Sequence, residues 1–241
     1  MFPLTDWLRL IYPQGCAACG APGGDALCPE CRALVAVRPA EACCAVCGKT
    51  LIERDAALGT ASHVCADCRG ERPAFDLARS ATLLRGPVRK LVHGLKYREA
   101  TWLAPVLGEW MHGCFLAHYA DERPDVVAPI PLHPFKRLRR GYNQSELLAR
   151  DLARRLGLPC APRLLARVRD TATQTRKDRD ARRRNVSGAF AVPRARAPYA
   201  FGKRVLLVDD VMTTGATFAA AALALRAAGA ARVLCLSAAR D

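Results

Sequence analysis

VLLVDDVMTTGAT, residues 205–217, is an apolar strand that runs into two adjacent carboxylates and then into a small-residue turn opening a helix. Residues 205–208 are a β-branched and leucine run of the kind found in buried parallel strands, and from Thr217 the chain continues as the alanine-rich helical run FAAAALALRAAG. The turn between them therefore belongs at the C-terminal edge of a sheet. Backbone N–H groups of Thr213, Thr214, Gly215, Ala216 and Thr217, at a helix N-terminus, can cradle a phosphate, with Gly215 allowing close approach. Asp209 and Asp210, just before the turn, are placed to accept from two ribose hydroxyls. The alternative is a strand, an acidic turn and an N-cap threonine, but two adjacent acids at the end of a buried strand are costly without a ligand. The stretch reads as a site for a phosphorylated sugar.

At 241 residues the chain allows one or two domains with a proper core. No segment approaches about 18 uninterrupted apolar residues, which excludes a membrane-spanning helix. MFPLTDWLRLIYPQG at the start carries Asp6 and Arg9 inside its apolar stretch, so it reads as a short docking helix and not as a signal peptide. The formal charge of +15 is unevenly divided: residues 1–75 sum to about −1 and the remainder to about +16. That basic excess implies a partner carrying several phosphates, whether a polyphosphorylated sugar, a nucleic acid or both, unless it is merely a solvated surface.

Nine of the 12 cysteines crowd into the first third of the chain. Cys16-Ala-Ala-Cys19-Gly20 is followed by Cys28-Pro-Glu-Cys31, and the unit recurs as Cys44-Ala-Val-Cys47-Gly48 followed by Cys65-Ala-Asp-Cys68. A CxxC turn lets two thiolates converge on one tetrahedral ion at about 2.3 Å per Zn–S bond, and glycine after the second cysteine suits the tight turn. The repeat favours sequential pairing, four cysteines on each of two zincs, with an interleaved arrangement open. A redox-active CxxC fits four repeated pairs less well than metal, and thiols kept for metal suit a reducing cytoplasm. With four protein ligands per ion and no position left for water, the zincs read as structural. Such a segment, poor in large apolar side chains, would be held by metal more than by burial. Cys43 and His63 are spare candidate ligands that read more as bystanders, and Cys114, Cys160 and Cys235 read as core residues.

Pro73 marks a linker, which divides the chain into residues 1–74 and 75–241. SATLL reads as an edge strand, and in PVRKLVHGLKY the apolar Val88, Leu91, Val92 and Leu95 fall at helical spacing, leaving Arg89, Lys90 and Lys96 on other faces; Lys96 can reach a phosphate, the alternative for a helical lysine being a solvated face. Residues 125–130 read as a second buried strand ended by Pro131-Leu132-His133-Pro134, and from Gln144 an amphipathic helix carries Leu147, Leu148, Leu152 and Leu156. If the strands are parallel, the intervening Lys136, Arg137, Arg139 and Arg140 gather at the same C-terminal sheet edge as the Asp209 turn, where ligands of open α/β sheets bind. ARVRDTATQTRKDRDARRRNVSGAF is long, polar and dense in arginine. Its Arg169, Thr173, Gln174, Arg182 and Asn185 can close over a polyanion as a lid, or contact a nucleic-acid backbone.

These pieces in this order resemble the ComF family, phosphoribosyltransferase-like proteins of competence and DNA uptake. The resemblance runs through CAACG, HGLKY, PIPLHPFKRLRRGYNQSELLA, RDTATQTRKDRDARRRNVSGAF and VLLVDDVMTTGAT. RRGYNQ and DTATQT with RNVSGAF are its specific signatures, whereas DD-TTGAT alone indicates the wider class of type I phosphoribosyltransferases. The resemblance implies an α/β fold, a type I phosphoribosyltransferase-like parallel sheet with helices on both faces, preceded by a small zinc-ribbon domain. It implies PRPP with Mg²⁺ on Asp209, Asp210 and residues 213–217, a pyrophosphate loop at 131–133, and a lid at 171–185. Lys96, Leu132, His133, Arg137, Arg140 and Arg182 are then candidates for the diphosphate, and Arg139, Arg140, Arg182 and Arg183 for single-stranded DNA. Lys177 departs from the family, which commonly has leucine there. Three functions follow: a DNA-uptake protein that binds PRPP, an active transferase acting on an unidentified nucleotide-related acceptor, and a salvage enzyme with an accessory ribbon, which the signatures weaken. Only 6% of residues are aromatic, so backbone contacts would dominate any DNA binding.

Overall fold

The computed structural model describes residues 15–23, 25–37, 43–51, 63–119, 121–169 and 188–241. The expected docking helix, and the lid residues Thr173, Gln174, Lys177, Arg182, Arg183 and Asn185, lie outside the described residues. The elements, in chain order, are α1 (Pro29–Ala33), α2 (Ala66–Gly70), β1 (Leu77–Leu83), α3 (Gly86–Tyr97), α4 (Ala104–His118), β2 (Val126–Pro129), α5 (Pro134–Arg140) and α6 (Gln144–Leu156). There follow β3 (Ala166–Arg167), β4 (Phe190–Ala191), α7 (Ala197–Ala200), β5 (Arg204–Met212), α8 (Ala216–Ala227) and β6 (Arg232–Arg240).

Four strands form a parallel sheet in the order β1-β6-β5-β2, and β3 pairs with β4 as a separate antiparallel hairpin. A strand covered on both faces must be apolar at consecutive positions, which is why 205–208 carries no polar residue. Alternation then sorts its side chains. Leu206 and Val208 face a core with Val88, Leu91, Val92 and Leu95 of α3, Leu107 and Met111 of α4, and Leu148 and Leu152 of α6. Val205 and Leu207 face the opposite core with Phe218, Ala221, Ala222 and Leu225 of α8. The four apolar residues read from the helical spacing of α3 are thus all buried. Of the three scattered cysteines, Cys235 is fully buried, but Cys114 and Cys160 are only half-buried and pack against the core's margin.

Close packing of α4 on α6 depends on Gly108, whose Cα hydrogen occupies space beside the Asp151 carboxylate; a Cβ there would collide with Asp151 Oδ2. Asp151 is fixed in turn by Arg154 at 2.8 Å and Arg155 at 2.6 Å.

The cysteine-rich segment meets the sheet at its β1 edge. Ala78 donates its N–H to Val46 O at 2.8 Å, Leu83 donates to Ala36 O at 3.3 Å, and Val37 forms an antiparallel bridge with Thr82. Edge groups that would otherwise stay unpaired are thereby covered. Cys16, Leu27 and Cys31 join the core of α3, α4 and α6, whereas Cys44, Cys47, Cys65 and Cys68 join the core of α8.

Candidate functional site

β5 extends farther than the sequence pattern suggests. Instead of ending at Val208 it pairs with β6 through Met212↔Arg240, so Asp209 and Asp210 lie inside the strand. Two buried acids can stay extended there because each has partners. Asp209 Oδ1 accepts from Ser145 Oγ at 2.7 Å and from the Asp210 N–H at 2.9 Å, and Asp210 Oδ1 accepts from the Val211 N–H at 2.9 Å. Lys96 Nζ stands 2.8 Å from Asp210 Oδ2. The alternation of faces also slips at this point: Val208 and Val211, three apart, both pack on the core of α3 and α6, and Met212 on the other. Both carboxylates are consequently met by helices of one layer, Asp209 from α6 and Asp210 from α3.

This electrostatic balance is tight. Burial first, then the neighbouring Asp210 charge, raises the Asp209 pKa to about 7, against the Ser145 hydroxyl, Lys96 and the Asp210 N–H, which pull it down. Burial works against the Lys96 charge, but Asp210, by charge and hydrogen bond, and then Asp209 outweigh it, leaving the ammonium favoured. Lys96 thus meets a carboxylate in this structure where the sequence reading aimed it at a phosphate.

Beyond Met212, Gly215 caps α8 in the left-handed conformation, φ 83°, and a Cβ on it would come within 2.7 Å of Met212 Cε. Only glycine suits both demands. The helix begins at Ala216, one residue before the sequence reading, and the Ala216 N–H points toward Thr214 Oγ1 at 3.4 Å. Residues 213–217 therefore hold the expected position at the C-terminal edge of a parallel sheet, over a helix N-terminus.

The basic run after β2 is at that edge too, but as a helix. Pro134 starts α5 and Gly141, φ 79°, ends it, signals that outweigh its lack of apolar periodicity. Arg137 pairs with Glu146 at 3.4 Å; Arg140 hydrogen-bonds Gln144 Oε1 and lies 5.4 Å over the Tyr97 ring. Arg139 is exposed. Leu132 and His133 are half-buried in the preceding loop, and His133 Nδ1 is a buried nitrogen with no hydrogen-bond partner among the described residues. Arg169 is exposed at the end of the described segment before 170.

Sequence reasoning missed Asn143 and Ser145 as site residues. Asn143 caps α6 by accepting from the Ser145 N–H at 3.1 Å and donates to Ile130 O at 3.0 Å, tying the end of β2 to the helix whose Ser145 holds Asp209. The signal was present in RRGYNQSE, where Asn143, Gln144 and Ser145 are polar and all buried.

The cysteines assemble sequentially into two tetrads: Cys16, Cys19, Cys28 and Cys31, and Cys44, Cys47, Cys65 and Cys68, with the four Sγ atoms of each within 4.8 Å of one another. Cys43 and His63 belong to neither. A tetrahedral site with metal–sulfur bonds of about 2.3 Å has sulfur–sulfur edges of about 3.8 Å. Cys19 and Cys28 Sγ are 3.7 Å apart, and Cys47 and Cys65 Sγ 3.8 Å, so the donors fit zinc in number, kind and spacing. Gly20 and Gly48 take the left-handed conformation that ends each knuckle, φ 80° and 67°.

Residues 7–71 match the family model of a double zinc ribbon domain, and residues 143–240 that of a phosphoribosyl transferase domain. Fold and site together define a type I phosphoribosyltransferase-like protein with a double zinc ribbon ahead of its sheet. Competence protein F of Haemophilus influenzae is 34% identical over 64% of this chain and 68% of its own length. DNA utilization protein YhgH of Escherichia coli K12 is 32% identical over 79% of this chain and 86% of its own. The chain belongs to the family of these proteins, the ComF family. Among solved structures, glutamine phosphoribosylpyrophosphate amidotransferase from B. subtilis aligns at 21% identity over 60% of this chain and 30% of its own, TM-score 0.39. No helix among the described residues is long and apolar enough to cross a membrane.

Proposed function

We propose that this protein handles incoming DNA in the cytoplasm and holds PRPP with Mg²⁺ at the end of β5. The observation that carries the reading is the buried pair Asp209 and Asp210, held in place by Ser145 and Lys96 directly before a helix-capping loop. In this reading the two acids accept from the ribose hydroxyls and the N–H groups of residues 213–217 hold the 5′-phosphate. Leu132, His133, Arg137, Arg140 and Arg182 attend the diphosphate, where Mg²⁺ would neutralise charge. Residues 1–74 form the metal-held unit, with two structural zincs on the eight cysteines, and 75–241 the sugar-phosphate unit. The names of the relatives, competence and DNA utilization, and the basic balance of about +16 beyond residue 75 support contact with single-stranded DNA through Arg139, Arg140, Arg182 and Arg183.

Calorimetry with PRPP and Mg²⁺ on the wild type and the Asp209→Asn/Asp210→Asn variant tests the site. Each charged hydrogen bond removed is worth roughly 1.5–3 kcal/mol, so binding weakens at least about tenfold; equal affinities would place the site elsewhere. The intact acid pair also favours a second reading, phosphoribosyl transfer to a nucleotide-related acceptor. Diphosphate release on adding candidate acceptors decides between holding PRPP and consuming it.

A further inference from the structure

Away from the end of β5, the first cysteine knuckle and α3 enclose a groove of about 660 Å³. Apart from Cys16, its charged lining is of one sign: Arg89, Lys90 and Arg98, with His93 beside them, Trp102 in the wall and no carboxylate among the described lining residues. Lys90 Nζ donates to Ala18 O at 2.6 Å, which fixes the knuckle as the opposite wall. The Arg89 and Arg98 side chains are exposed and make no ion pair among the described residues. The anionic partner in the lining is the Cys16 thiolate of the first tetrad, which is shared among metal and knuckle; three cations with no carboxylate beside them still repel one another, and a polyanion relieves that repulsion. One turn beyond His93, Tyr97 is 60% exposed; the His93 ring lies 4.8 Å from it and the Arg140 guanidinium 5.4 Å over it. An aromatic and cationic step thus continues from the groove to α5 at the edge of the sheet.

We propose that this groove and the Tyr97 step form the track for single-stranded DNA, with phosphates on Arg89, Lys90 and Arg98 and unstacked bases against Trp102 and Tyr97. The inference rests on the reading that the protein contacts single-stranded DNA, and assigns that contact a face which the α5 arginines alone do not supply. From Arg89 to Tyr97 the helix rises about 12 Å at 1.5 Å per residue. At about 3.4 Å per phosphate of a stacked strand that length serves at most about three to four phosphates, and fewer where the bases unstack and the strand extends. Aromatic faces beside a basic groove suit single strands, whose bases are available to stack, over a duplex. The rival is the groove of about 700 Å³ beside β2, which holds Arg163, Arg196 and Lys203 next to Tyr199. There Glu146 and Asp125 also line the wall, and Glu146 already engages Arg137 and Arg150.

The test uses the full-length, metal-loaded protein and a labelled oligo(dT) of about 20 nucleotides, with anisotropy read across a salt series. The Arg89→Ala/Arg98→Ala variant should bind more weakly, with its log–log salt slope flattened by roughly 1.4, about 0.7 for each phosphate no longer neutralised. Arg163→Ala/Arg196→Ala should keep the wild-type slope. The strand should quench tryptophan emission in the wild type and not in Trp102→Phe, with metal content unchanged in every variant. A wild type that binds no oligo(dT) at low salt overturns the DNA reading and the track together. Binding abolished in Arg163→Ala/Arg196→Ala and kept in Arg89→Ala/Arg98→Ala overturns the track alone. Loss of zinc from the Arg89 and Arg98 variant would mean those charges balance the thiolates, and equal affinity for a duplex or for oligo(U) would sink the assignment to single-stranded DNA.

Discussion

Replacing Asp209 by asparagine should stabilise the fold near neutral pH while weakening the ligand. Asp209 is buried on β5, and its Oδ1 already accepts from Ser145 Oγ and the Asp210 N–H. Asparagine keeps that acceptor and removes only the ionisable oxygen. In the folded chain burial, followed by the Asp210 charge, holds the Asp209 pKa up to about 7, whereas in the unfolded chain it ionises at about 3.9. Between those values the native state binds a proton that the unfolded state has released, so stability falls with rising pH. The contribution is fully present below about pH 4 and is lost as pH climbs through about 7. Three pH units at about 1.4 kcal/mol each set a ceiling of about 4 kcal/mol on the gain from Asp209→Asn above pH 7.

Urea unfolding of both proteins between about pH 4.5 and 8 reads the difference directly, and titration of the cysteine tetrads, common to both, cancels. The expected difference is small at the acid end, grows with pH and levels off above about 7. PRPP affinity should move the other way. Ribose hydroxyls donate best to an ionised carboxylate, so wild-type binding strengthens through about pH 7, and asparagine forfeits roughly 1.5–3 kcal/mol. A pH-independent difference, or a variant less stable at pH 8, would refute the assignment of a buried, proton-holding acid.

Zinc analysis of protein purified without added metal should give two ions per chain on the two tetrads, and a strong chelator should unfold the cysteine-rich segment, since each structural zinc supplies about 10–16 kcal/mol; a metal-free, protease-resistant segment would contradict this. Lys96→Met removes the partner of a buried carboxylate and should cost about 3–5 kcal/mol, much of it recovered in Lys96→Met/Asp210→Asn; urea midpoints that show no recovery would mean the pair is not coupled. Gly108→Ala pushes a methyl against the Asp151 carboxylate between α4 and α6 and should cost about 1–3 kcal/mol in thermal unfolding, and an unchanged Tm would show that the helices separate freely.

Much of this architecture is written in local pattern. The apolar run at 205–208 marks a strand buried on both faces, and the helical spacing of Val88, Leu91, Val92 and Leu95 gives the buried face of α3. The duplicated CxxC units pair in sequence, the arrangement their repeat favours. What local pattern leaves unread is long-range. Ser145 meets Asp209 across 64 positions, and Lys96 meets Asp210 across a still longer separation, so neither partnership leaves a periodicity to find. The strand reads as ending at Asp209 because carboxylates oppose burial, and only those distant partners let it run on to Met212. α5 is hidden for the opposite reason: KRLRR presents no buried face, and the helix rests on Pro134 and Gly141.

The placement of the two tetrads follows from the sheet's own weakness. A four-stranded parallel sheet leaves β1 and β2 as edges, and helices cover faces, not edges. The cysteine-rich segment straddles β1, one tetrad packed into each core, and its backbone meets Ala78 and Leu83. Gly48 shows how close the approach is: besides its positive φ, a Cβ there would come within 2.7 Å of Ala78 O. The second tetrad reaches farther. Arg240 at the end of β6 is buried and donates to Cys47 O at 2.7 Å, with the same nitrogen 3.6 Å from Met212 Sδ; the Met212 methyl in turn fills the space beside Gly215. Phe75, next to the tetrad in the same core, lies against Gly215 as well. The loop that opens α8 therefore rests on side chains anchored to the second cysteine knuckle, so a contact path of Cys47, Arg240, Met212 and Gly215 joins the second tetrad to residues 213–215.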